Sequence, residues 1–113
     1  MPCSSASEAR QHDQPAQAGA IRANAGALTE EVVLGHLARL AAASRTEPAN
    51  ISYEFFRDAE DPAHVVVLER YVDAAGFDAH LKSEHFETIG KTEIIPRLAT
   101  RTVRVYEGTG ERP

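Results

Sequence analysis

Two histidines, His80 and His85, stand in the stretch Asp78-Ala-His-Leu-Lys-Ser-Glu-His-Phe86. An imidazole with its ordinary pKa near 6.5 is suited to moving protons at neutral pH. Helical spacing puts His80 on the face that Phe77 and Leu81 would bury, which makes it the candidate general base. The plainer reading is a partly buried histidine satisfying a backbone carbonyl. His85 lies across Ser83, where a helix would be re-capped, so its face is not fixed by spacing; it is a candidate substrate contact or an exposed residue.

Other groups of the right chemistry surround these two. Asn50 stands where a turn meets a strand, able to orient a substrate oxygen, although turn geometry alone also favours Asn there. Tyr53, Tyr71 and Phe86 are candidate pocket residues; either tyrosine could equally be a core or interface aromatic, and core is the favoured reading for Tyr53. Glu69 alternates with Val67 and Tyr71, so it points to a covered surface and needs a partner there, for which Arg104 is the expected cation. His80, His85 and Glu69 also have the composition of a two-His-one-carboxylate iron site, although their spacing does not require one. His36 and His64 read as structural or solvent-facing. No Gly-rich phosphate loop follows a strand, and no Ser stands in a nucleophile elbow.

The elements that must position these residues alternate in type. Residues 1–17 are polar and aperiodic, a disordered tail, and Ala20–Asn24 is a weak strand with one β-branched residue, Ile21. Thr29 reads as a helix N-cap, with Val33, Leu37, Leu40, Ala41 and Ser44 at helical spacing and Val32 and His36 widening the stripe. Ile51–Arg57 and His64–Val72 form a hairpin, with Ile51, Tyr53 and Phe55 on one face of its first strand. Asp73 caps a second helical region, broken into short helices by Gly76, Ser83 and Gly90, and Thr100–Glu107 closes as a strand with Val103 and Val105 inward. The order β-α-β-β-α-β is that of an α+β, ferredoxin-like four-stranded antiparallel sheet with helices on one face.

The second hairpin strand is apolar on both faces, with Val65, Val67 and Tyr71 on one and Val66, Leu68 and Val72 on the other. Helices cover only one, so a second copy of the chain is the economical cover for the other, which predicts a homodimer. The length of 113 residues fits one domain, taken as residues 18–108 with a loose end at 109–113. There are 12 basic and 17 acidic side chains, a net charge of −5, and the only basic cluster (Arg97, Arg101, Arg104) is diluted by Glu93 and Glu107. Nucleic-acid binding is therefore not expected. No run approaches the roughly 18 apolar residues of a membrane span, and residues 1–20 lack a signal-peptide core. The single cysteine, Cys3, suits a reducing compartment and can form neither an internal disulfide nor a cysteine metal site. A soluble cytoplasmic protein is expected.

The segments Glu47-Pro-Ala-Asn-Ile-Ser-Tyr-Glu-Phe-Phe56, Asp61-Pro62, Leu68-Glu-Arg-Tyr71 and Asp78 to Phe86, in that order, resemble the antibiotic biosynthesis monooxygenase family of dimeric α+β barrels. The resemblance runs from about Arg39 to Tyr106. The chain departs from the family pattern at Ala49, where Gly is usual, and at Tyr71, where Trp is usual. The resemblance implies a cofactor-free, metal-free monooxygenase that oxidises a small quinol or phenolic, polyketide-like aromatic with O2. His80 would be its base, with Asn50, Tyr53, Glu69, Tyr71, His85 and Phe86 around the substrate. Haem degradation, another activity of the family, is disfavoured because Gly90 stands where the iron-binding His would be. The alternatives are a non-catalytic dimeric small-molecule-binding domain and an acid–base isomerase on the same fold.

Overall fold

A computed structural model describes residues 15–24, 27–107 and 110–112. Its strands are β1 (Pro15–Ala23), β2 (Asn50–Arg57), β3 (His64–Tyr71), β4 (Leu98–Glu107) and a short β5 (Gly110–Arg112). Its helices are α1 (Ala27–Ser44), α2 (Ala74–Leu81) and α3 (Phe86–Ile94), the last wound as a wide π-helix and closed by a tighter turn at Ile95–Arg97. The strands form one antiparallel sheet in the order β2-β3-β1-β4-β5. With β3 inserted between β1 and β2, the first four strands and the helices make the expected α+β, ferredoxin-like arrangement.

The weak strand signal near Ile21 belongs to a central strand. β1 pairs with β3 on one side and β4 on the other, so its backbone groups are satisfied in two ladders whatever its intrinsic propensity. It begins at Pro15, which takes residues 15–17 out of the expected tail; residues 1–14 lie outside the described residues. Within the expected loose end, residues 110–112 pair with β4, while 108, 109 and 113 lie outside the described residues.

α1 starts at Ala27, two residues ahead of the expected cap at Thr29. Its Val33, Leu37, Leu40 and Ala41 are buried against Ile21, Tyr53, Val65 and Val67, with Ile89 and Ile94 closing the core. Val32 stays exposed and does not widen the buried stripe. Ile51 is exposed too, because a register shift between Asn50 and Ser52 turns it away from the face of Tyr53. The face of the sheet away from the helices keeps apolar surface in solvent: Phe56 is 52% exposed and Leu68 38%.

Candidate functional site

The site is built where the turn after α1 meets α2. Asp73 caps α2 by accepting from the Gly76 amide at 2.7 Å, and the Val72 amide donates to the Ala49 carbonyl at 2.9 Å. These contacts press the two segments together so closely that a Cβ on Gly76 would stand 2.5 Å from that of Ala49. Only glycine admits this approach, and it sets Glu47, at the other end of the turn, over the inner face of α2. Ser83 then ends α2 by donating to the His80 carbonyl at 2.7 Å and accepts from the Phe86 amide at 3.2 Å. The re-capping carries His85 and Phe86 back toward His80, with ring centroids 6.0 and 5.3 Å from it.

His80 is 1% exposed and has a carboxylate at each ring nitrogen. Its Nδ1 lies 2.8 Å from Glu47 Oε2, and its Nε2 lies 3.3 Å from Glu69 Oε1. His85 Nε2 is hydrogen-bonded to the same Glu47 oxygen. On the other side, the Tyr71 hydroxyl donates to Glu69 Oε1 at 2.8 Å, and the Asn50 side chain is hydrogen-bonded to Tyr71. Asn50 also donates to the Ser52 carbonyl at 3.2 Å. The partner of Glu69 is thus Tyr71 with His80, not Arg104. In the antiparallel register Arg104 shares a row with Ala18 and Leu68, on the opposite face, and Arg101 is the cation on the Glu69 face.

Burial governs the electrostatics. It pushes the Glu69 carboxyl up to about 7, against the Tyr71 hydrogen bond, while the Glu47 charge adds to the rise and Arg101 opposes it. Burial holds His80 below the usual imidazole range, against the hydrogen bond and charge of Glu47. The Tyr53 and Tyr71 hydroxyls are both driven well above the ordinary tyrosine range, first by burial and then by the Glu69 charge. These directions agree with one another. A buried, water-poor cluster favours the state with fewest charges, here a neutral imidazole facing a carboxyl that keeps its proton until near neutrality.

A cavity of about 60 Å³ opens between the helices and the sheet, with Glu69, Tyr53, Phe86 and Arg101 as its polar and aromatic walls. Of the residues expected from sequence, Glu69, Tyr53 and Phe86 line it. Asn50, Tyr71, His80 and His85 do not; His80 stands behind Glu69. Phe86 leans on Gly90, where a Cβ would come within 3.0 Å of its ring. The set His80, His85 and Glu69 does not converge on one point, because Glu69 is on the far side of His80. Glu47 takes that place: it, His80 and His85 bring their ligand atoms within 4.8 Å of one another. Glu47 and Arg101 are the functional candidates that residue spacing did not single out. The available signal for Glu47 was its place after the last turn of α1 and immediately before Pro48, which returns the chain to the sheet edge.

Comparison with known proteins bears on most of the chain. The family model described as antibiotic biosynthesis monooxygenase matches residues 16–92. A solved antibiotic biosynthesis monooxygenase is 26% identical, with a TM-score of 0.75 over 82% of this chain and 96% of that one. A protein from Nitrosomonas europaea, itself described as a putative member of that family, is 20% identical with a TM-score of 0.77, covering 87% and 95%. A mutant of SnoaB, a cofactor-independent oxygenase from Streptomyces nogalater, is 14% identical with a TM-score of 0.73, covering 83% and 91%. No curated protein matches the chain.

Proposed function

Because the chain belongs to the antibiotic biosynthesis monooxygenase family, we propose that it oxidises a small quinol or phenolic aromatic with O2, without a cofactor taking part in the oxygen chemistry. The observation that carries this reading is Glu69, a carboxyl 4% exposed on the wall of the cavity, joined to Tyr71 on one side and to His80 on the other. In this scheme Glu69 takes the proton of a substrate hydroxyl, and His80, expected from sequence to touch the substrate, instead buttresses Glu69 from behind. Arg101, at the same wall, balances the negative charge that develops on the substrate oxygen. The electron-rich anion reduces O2 directly. For a hydroquinone, one oxygen atom enters the ring to give a hydroxyquinone and the other leaves as water. Asn50 and Tyr71 hold Glu69 in place, and Tyr53 and Phe86 supply the apolar walls that exclude solvent.

The sheet face bearing Phe56 and Leu68 supports a homodimer, with a second copy covering these exposed apolar residues. Sedimentation should give twice the chain mass, and Leu68→Arg should return the monomer; a monomeric wild-type chain would overturn the dimer. A cytoplasmic setting suits the single cysteine. Among the described residues no helix is long and apolar enough to cross a membrane.

The test of function is oxygen uptake by metal-stripped protein with a panel of quinols and naphthols. Uptake above the spontaneous rate, lost in Glu69→Gln, supports the oxygenase; turnover that persists without oxygen turns the reading to an acid–base isomerase. A second reading, a binding domain without catalysis, draws on the cavity volume. About 60 Å³ is less than the roughly 150 Å³ that admits benzene in an apolar core. Under the oxygenase reading the half-buried Phe86 ring must swing off Gly90 to admit an aromatic, so Phe86→Ala should lower the KM for a quinol. Absence of uptake together with measurable binding of the same compounds would favour the binding domain.

A further inference from the structure

We propose that Glu47, His80 and His85 form a site for one divalent transition-metal ion of the zinc and cobalt class, set behind the cavity wall. The donor atoms are His80 Nδ1, His85 Nε2 and a carboxylate oxygen of Glu47, all within 4.8 Å of one another. They come from the turn after α1, from α2 and from the N-cap of α3, so the folded chain assembles them. Two imidazoles and one carboxylate are a donor set that borderline divalent ions take, and three protein ligands leave a position for water. A tetrahedral ion with bonds of about 2.0–2.2 Å needs donors about 3.4 Å apart. Glu47 Oε2 and His80 Nδ1 stand 2.8 Å apart. A retreat of the Glu47 carboxylate by less than an ångström makes the space, and Glu47 stands on a turn with its side chain 14% exposed.

The back of His80 supplies an independent feature. A metal-bound imidazole usually turns its other ring N–H to a carboxylate, which fixes its tautomer and orientation. Glu69 Oε1 occupies that position, 3.3 Å from Nε2, and is itself held by Tyr71. An ion pair would need only one carboxylate; here each nitrogen of His80 has its own, one converging with a second imidazole and one standing alone behind. Access is also arranged. The side chains of Glu47 and His85 are 14% and 23% exposed, so an ion can enter from that edge, whereas His80 is closed to solvent. None of the three donors lines the cavity, so the ion need not touch the substrate.

The experiment uses the full chain, stripped with a chelator and titrated with Zn2+ by calorimetry and with Co2+ by visible absorption. Binding of one ion per chain, with a cobalt band of tetrahedral intensity, is expected. His85→Gln, at a partly exposed position, and Glu47→Gln should each weaken binding at least about 100-fold, and Glu69→Gln about tenfold, with far-UV circular dichroism unchanged. His36→Gln should leave it intact, although His36 Nε2 also has a carboxylate neighbour, Glu93 at 3.3 Å. Absence of binding, or binding that survives in the Glu47→Gln, His85→Gln double variant, would overturn the proposal. Either result leaves the oxygenase reading standing, because its uptake assay uses metal-stripped protein.

Discussion

Glu47 and Glu69 flank the same imidazole and differ in almost everything else. Glu47 sits on a turn, reaches solvent, and offers one oxygen to both His80 and His85. Glu69 sits in the middle of a buried strand, with one phenol donor, one imidazole and the cavity for surroundings. Burial raises the Glu69 carboxyl to about 7. The contrast teaches that residue type does not assign the chemistry. Position in a water-poor wall makes one carboxyl a proton-transfer group near neutrality, while the other gathers the two histidines.

The sharpest way to break this contrast is to neutralise each carboxyl in turn. Glu69→Gln keeps the shape of the wall and removes its proton acceptor, so kcat for a quinol should fall by about 10²–10⁴. Glu47→Gln loosens His80 and His85 but leaves the cavity wall unchanged, and a loss of about tenfold is expected. Equal losses in steady-state oxygen uptake would mean that the two carboxyls act as one unit, and the division between wall and buttress would fail.

Much of the frame was legible in the sequence, because hydrophobic period and cap chemistry are local. The stripe Val33, Leu37, Leu40, Ala41 is buried as its spacing predicts, and Asp73 caps α2. β1 was barely legible, since a central strand draws its stability from two neighbours rather than from its own residues. The site was legible in its parts but not in its arrangement. Alternation placed Glu69 on a covered face, and helical spacing buried His80. Neither pattern could place Glu47 beside His80, because that contact is made between a turn and a helix 33 positions apart and depends on the close approach of Ala49 and Gly76. The same holds for Arg101. Its register against Ile21, rather than its position in a basic cluster, puts it at the cavity.

A second test reads the contrast through stability. The Glu69 carboxyl binds its proton more tightly in the folded chain, at about 7, than at its ordinary value of 4.5. Its contribution is therefore complete below about pH 4.5 and is lost as pH rises through 7, by about 3–4 kcal/mol in chelator-treated protein. His80 acts in the opposite sense. Its folded value lies below 6.5, so the unfolded chain takes up the proton first and the contribution of His80 is lost as pH falls below that point. Urea midpoints of the wild type minus those of Glu69→Gln should decline across the window from 4.5 to 7. Parallel profiles would mean that Glu69 is not held protonated by burial.

Tyr71→Phe is the finest probe, because it removes one oxygen and leaves the ring on Phe77, with centroids 5.4 Å apart. The Tyr71 hydroxyl donates to Glu69 and so holds its proton affinity down against burial. Without that donor the carboxyl should climb further above 7, and the fall in the midpoint difference should move to higher pH. The overall cost should be about 1 kcal/mol, since one buried hydrogen bond is lost and the Asn50 amide keeps only its bond to the Ser52 carbonyl. A window that stays in place would show that Tyr71 only packs against the cluster. Burial alone would then separate Glu69 from Glu47, and the hydrogen bond would have no share in it.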